Sequence, residues 1–138
     1  MRKKKTVLVF GVFDVLHDGH RFFLRAARAR GAQLIVAVAP DAVVQALKEK
    51  PPRQPLAERL AAVRKEGLAD TVVQGDVQIN DWSILKKYKA DVIALGYDQM
   101  RLEESVRAYI AKENLPIKVV KIAAMNPARL HSRFLRGK

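Results

Sequence analysis

His17 and His20 stand three residues apart within Gly11-Val12-Phe13-Asp14-Val15-Leu16-His17-Asp18-Gly19-His20. At a helix start that spacing puts both imidazoles on one face, where they reach one ligand together. Gly11 and Gly19 let backbone come close to that ligand. The unsatisfied N–H groups of a first helical turn favour an anion. Paired imidazoles, glycines and a helix N-terminus after a strand together describe a triphosphate site.

The elements that must hold these residues follow from the apolar pattern. The motif sits between a strand-like run, Thr6–Phe10, and a helix-like run, Arg21–Arg30, in which Phe22, Phe23, Ala26 and Ala27 form one stripe and Gly31 is the expected C-cap. Further strand-like runs are Gln33–Val38, Thr71–Val73, Asp91–Leu95 and Ile117–Ile122. They are near-continuous in apolar residues, as strands of a parallel sheet covered on both faces should be. Helical patterns occupy Ala42–Leu47, Leu56–Arg64 after Pro55, Trp82–Tyr88 and Glu103–Glu113. Alternation of strand and helix predicts a doubly wound, five-stranded parallel α/β sheet of Rossmann-like form. In such a sheet the ligand lies beyond the C-terminal strand ends. The motif, Pro40-Asp41, Gly96-Tyr97-Asp98-Gln99 and the stretch from Asn126 to Arg136 all fall there.

A length of 138 residues is one domain's worth, 1–138, with no repeat, low-complexity tract or linker. No run approaches the roughly 18 apolar residues of a membrane span. The basic start, Arg2-Lys3-Lys4-Lys5, precedes an apolar stretch broken by Asp14 and His17, unlike a signal peptide. Cysteine is absent, which excludes disulfides and thiolate metal sites. A cytoplasmic location is expected. The net charge of +12 draws polyanions, nucleotides among them. Nucleic acid is not the expected partner, because no zinc-finger or RNA-binding signature accompanies the charge, and aromatic residues, at 7%, do not interleave with it.

The ten-residue segment meets G-x-F-D-x-x-H-x-G-H at every fixed position and resembles the H-x-G-H nucleotidyltransferase superfamily, which includes cytidylyltransferases and small adenylyltransferases. The resemblance runs from Thr6 to Arg136. It implies that His17 and His20 bind the phosphates and stabilise the transition state, with Gly11, Val12, Phe13, Asp14 and Gly19 at the nucleotide. It also implies that a lysine loop after the second strand closes over the phosphates, here with Lys48 as the catalytic lysine and Lys50 beside it. Asp41 and Lys50 fall toward the acceptor. Arg59 matches a family arginine that braces the site, and it falls with the acceptor group. A plain N-cap for the following helix is the other reading of Asp41.

Leu95-Gly96-Tyr97-Asp98-Gln99 supplies a second constellation. Glycine after a strand admits a base or ribose, Asp98 accepts from hydroxyls, and Gln99 offers a donor and an acceptor. This form resembles archaeal-type FAD synthetases, which transfer AMP from ATP to FMN, rather than the G-x-D-W of cytidylyltransferases. The stretch Arg129 to Arg136 resembles the last family motif, where a Ser or Thr opens a helix that binds the triphosphate. On that basis His131, Ser132, Arg133 and Arg136 join the nucleotide-binding set. Glycerol-phosphate cytidylyltransferases carry an Arg-Thr pair where this chain has Asn126-Pro127, and an arginine where it has Gly67.

The implied reaction is attack on the α-phosphorus of a nucleoside triphosphate with loss of pyrophosphate, which needs in-line positioning and nearby cations rather than a covalent nucleophile. ATP with FMN as acceptor is the first expectation. CTP with a polyol or sugar phosphate is the second, and a non-catalytic nucleotide- or nucleic-acid-binding module the third. Mg2+ is expected to arrive on the triphosphate, with no direct protein ligand, though Asp14 could orient an amide or hold the ion indirectly. A homodimer is implied by the resemblance.

Overall fold

The computed structural model describes residues 5–77 and 81–124. Five strands, β1 (Thr6–Gly11), β2 (Gln33–Val38), β3 (Thr71–Gln74), β4 (Val92–Gly96) and β5 (Lys118–Ile122), form one sheet in the order β3-β2-β1-β4-β5. Every pairing is parallel. The helices are α1 (Asp18–Arg28), α2 (Asp41–Lys48), α3 (Leu56–Glu66), α4 (Ser83–Lys87) and α5 (Met100–Glu113). The doubly wound sheet expected from the alternating pattern is the one observed.

Strand pleat divides the core in two. Val7 and Val9 of β1 point to a cluster with Leu24, Ala27 and Val63, so α1 and α3 cover that face. Leu8, between them, points to a cluster with Trp82, Leu85 and Val106, so α4 and α5 cover the other. Val7, Leu8 and Val9 are fully buried; each such side chain contributes about 1.5–3 kcal/mol of transfer free energy. Burial on both faces is why β1 shows no polar alternation.

Several boundary expectations change. Helix α1 starts at Asp18, ahead of Arg21, because His17 serves as its N-cap. Its C-cap is Ala29 in right-handed conformation, not Gly31. Gly31 is small for a different reason: a Cβ there would lie 2.8 Å from the Lys5 carbonyl oxygen. Phe22 leaves the expected stripe and stands exposed, while Leu24 takes its place in the core. The N-cap of α2 is Pro40 rather than Asp41, whose carboxylate is engaged elsewhere.

The strand order reverses between β1 and β4, and the crevice at that reversal is where open α/β sheets bind ligands. The motif leaves β1 at this point and Gly96 leaves β4 beside it. Gln99 Nε2 donates to the Phe10 carbonyl at 3.0 Å, tying the two strand ends together.

Candidate active site

The two histidines build the helix start they occupy. His17 Nδ1 accepts from Gly19 N–H at 3.0 Å, and His20 Nδ1 accepts from His17 N–H at 3.1 Å. This is a capping box made of imidazoles in place of the usual Ser and Glu. With both Nδ1 atoms accepting, the hydrogen-bond network assigns the ring proton to Nε2 on each neutral histidine. Two Nε2–H donors are thereby fixed on adjacent, stacked rings whose centroids are 3.9 Å apart. His20 is pushed down to about 4, by burial first, then by the charges of His17, Lys48 and Arg21, with Asp14 opposing.

The glycines serve the motif's own rings. A Cβ on Gly11 would lie 2.5 Å from the Phe13 ring, and one on Gly19 would lie 2.9 Å from His17 Cε1. Phe13 is buried and meets His20 edge-on at 5.5 Å. Glycine at these positions leaves room for the rings that form the histidines' platform.

Asp14 faces the lysine loop. Its two carboxylate oxygens accept from Arg53 N–H at 2.7 Å and Gln54 N–H at 2.9 Å. Desolvation pushes its carboxyl up; the two amide donors and the charges of Arg59 and Lys48 outweigh that and hold it below the usual carboxylate value. Asp14 thus orients amides of the lysine loop, one of the two roles expected for it.

Arg59 is a brace and not an acceptor contact. Its side chain is fully buried. Nε donates to Gln54 O at 2.9 Å, Nη1 to Val12 O at 2.9 Å and Ala39 O at 2.7 Å, and Nη2 to Asp41 Oδ1 at 2.5 Å. One guanidinium thus ties the motif loop, the end of β2, the start of α2 and the lysine loop together. Asp41, half exposed, is its counter-ion.

Asp14, Val15, His17, Val44, Lys48, Lys50, Pro51, Pro52 and Arg53 line one cleft of about 390 Å3. Lys48 and Lys50 therefore share a wall with His17. Lys48 ends α2, and Glu49 follows in left-handed conformation, φ 59°, to start the loop. A larger hollow of about 530 Å3 lies along β3 between α3 and α4 and contains none of the motif residues. At the β4 end, Gln99 Oε1 accepts from Gly96 N–H at 2.8 Å. With its amide nitrogen on Phe10 O, Gln99 shapes the crevice wall. Gly96 and Asp98 lie at this same wall: a Cβ on Gly96 would be 3.1 Å from Asp98 Oδ1. His131, Ser132, Arg133 and Arg136, expected at the triphosphate, lie outside the described residues. Arg53 and Gln54, which clasp Asp14, are site residues the sequence did not reveal.

The arrangement is that of a nucleotidyl-transfer site at the switch point of a Rossmann-like sheet. The chain belongs to the cytidylyltransferase-like family, whose model matches residues 8–132. Among its relatives, a FAD synthase from Thermococcus kodakarensis is 37% identical over 121 residues, 88% of this chain and 81% of that protein. One from Methanosarcina barkeri is 40% identical over 117 residues, 84% of this chain and 81% of the other. A lipopolysaccharide core biosynthesis protein from Thermoplasma volcanium superposes with a TM-score of 0.81 at 30% identity, over 90% of this chain and all of that one. A pantoate–β-alanine ligase from Francisella tularensis, at 11% identity and TM-score 0.64 over 92% of this chain and 62% of its own, shares the fold alone.

Proposed function

We propose that this chain is an ATP:FMN adenylyltransferase that makes FAD. The observation that carries this reading is identity of 35–40% with FAD synthases over four-fifths of their length, in a chain whose paired histidines stand at the β1–β4 crevice. A phosphate oxygen of FMN attacks the α-phosphorus of ATP, the bond from that phosphorus to the bridging β-phosphate oxygen breaks, and pyrophosphate leaves. His17 and His20 donate through Nε2–H to phosphate oxygens as charge moves to the leaving group. Lys48 adds positive charge from the cleft wall, with Lys50 toward the acceptor. Gly11, Val12, Phe13 and Gly19 shape the floor, and Gly96 and Asp98 receive the nucleoside. His131, Ser132, Arg133 and Arg136 complete the triphosphate contacts in this reading.

Mg2+ fits as cargo of the triphosphate. Among the described residues no group of three or more His, Asp or Glu is placed to hold a metal ion, and Asp14 is engaged with two amides. When bound, the ion offsets charge on the β- and γ-phosphates. Among the described residues no helix is long and apolar enough to cross a membrane. A cytoplasmic homodimer of one domain, 1–138, belongs to the same proposal, and sedimentation of the purified protein measures its assembly.

The deciding assay offers ATP or CTP with FMN, glycerol 3-phosphate or sugar phosphates, and measures pyrophosphate together with the adduct. FAD from ATP and FMN is expected. A higher kcat/KM for CTP would move the assignment to a cytidylyltransferase, and ligand binding with no pyrophosphate would make it a binding module.

A further inference from the structure

Two non-glycine residues in the motif loop hold left-handed backbone, Phe13 at φ 52° and Val15 at φ 54°. For a β-branched residue this region is an outlier, and such strain persists only where the surroundings enforce it. Phe13 is enforced by burial. Val15 is not: its side chain is 45% exposed. On its other side Leu16 packs on the core. Val15 is therefore a strained link between two anchored residues, and its own packing does not hold it.

Its backbone N–H donates to Gln54 Oε1 at 3.0 Å. Gln54 is well placed to impose that geometry. Its N–H is held by Asp14 and its carbonyl by buried Arg59. It also precedes Pro55, which confines its backbone to extended conformation. A fixed backbone thus presents a side-chain oxygen to the strained peptide. Two residues beyond Val15, His17 begins α1 with its ring committed to the cap.

We propose that Gln54 is a positioning residue: its side-chain oxygen locks Val15 in left-handed conformation and so sets His17 at the helix start, coupling the lysine loop to the histidine pair. The catalytic consequence rests on the adenylyl-transfer reading; the conformational one does not.

Gln54→Ala removes the side-chain oxygen and leaves both backbone bonds of residue 54 in place. It is expected to lower kcat by about 10- to 100-fold, the scale of a small misplacement of a reacting group, with KM for ATP changed by less than about threefold. The second arm uses strain. Asn tolerates left-handed backbone where Val does not, so in a Val15→Asn background Gln54→Ala should cost less than about threefold in kcat. Equal losses in the two backgrounds would overturn the proposal. A third arm needs no substrate. The 15N shifts of the His17 imidazole report its tautomer in the free protein, and Gln54→Ala should move them from the single Nε2–H form toward a mixture. Unchanged shifts would overturn the positioning role even if the wild type made no FAD, whereas moved shifts in a chain that makes no FAD would reject only the assigned reaction.

Discussion

His20 Nδ1 accepts the backbone N–H of His17 at 3.1 Å while the two imidazoles stack 3.9 Å apart. The same contact caps α1 and, with Gly19 N–H on His17 Nδ1, leaves Nε2 as the protonated nitrogen of each ring. It also makes protonation of His20 costly, because its Nδ1 would lose its acceptor role.

The first prediction is a titration. His20 should take its proton near pH 4, since its value is pushed down to about 4 by burial and neighbouring cations. Unfolded, it protonates near 6.5. Between those values the unfolded chain binds more protons, so its contribution lowers stability as pH falls from 6.5 to 4, with no further loss below. Histidine NMR across pH 3–8 would measure it directly. A His20 midpoint at or above 6.5 would contradict the environment described.

Removing the donors separates catalysis from capping. His17→Ala or His20→Ala should cost about 3–4 kcal/mol of transition-state stabilisation, 10²–10³ in kcat, as loss of one oriented donor does. His17→Ala also removes an N-cap worth about 1 kcal/mol. His17→Asn restores a capping oxygen without restoring the Nε2–H donor, so it should recover the melting temperature and not the turnover. If both alanine variants kept turnover within about twofold of wild type, the proposed role would be lost, since a donor stronger in the transition state must show in kcat.

Sheet, helix order and motif position were legible because burial on both faces leaves a continuous apolar signature, and because G-x-F-D-x-x-H-x-G-H is dense in chemically special residues. What was not legible was how those residues are held. Nothing local marks Arg53 and Gln54 as the clasp on Asp14, since the contact spans about forty residues of sequence separation. Gly11 and Gly19 looked like openings for a ligand, and only coordinates show the Phe13 and His17 rings filling them. Arg59 carried two expectations from the resemblance, a brace and an acceptor contact. Full burial and four hydrogen bonds to protein acceptors settle it as a brace. Side-chain type is visible in sequence; the partner that satisfies it, when distant, is not.

Arg59 gives the largest stability prediction. Arg59→Met leaves the carbonyls of Val12, Ala39 and Gln54 without their donor, and each buried orphan costs roughly 1–3 kcal/mol. Asp41 is half exposed and rehydrates. A loss of about 3–5 kcal/mol is expected in urea unfolding. Arg59→Lys should recover little, because an ammonium cannot span the four acceptors that the planar fork reaches. A loss under about 1 kcal/mol in the Met variant would mean that water replaces the guanidinium there.

The last prediction concerns the lysine loop. Its base is fastened, with the amides of Arg53 and Gln54 on Asp14. Its start is the left-handed Glu49 after Lys48, and Lys48, Lys50 and Pro51 face the cleft. A ligand orders such a segment only through contacts made better in the ordered state. In the proposed site the β- and γ-phosphates are the source of those contacts. Trypsin reads this well, because the bond after Lys48 is open to it while Pro51 protects the bond after Lys50. Mg–ATP at ten times its dissociation constant leaves about one molecule in eleven free, so cleavage after Lys48 should slow about tenfold. AMP at the same saturation should slow it little. Cleavage after Arg53 should be slow with or without ligand, since Asp14 already holds the amide of that peptide bond. Equal rates after Lys48 with no ligand, AMP and Mg–ATP would show a solvated basic segment. Lys48 and Lys50 would then leave the site, and the paired histidines would stand without them.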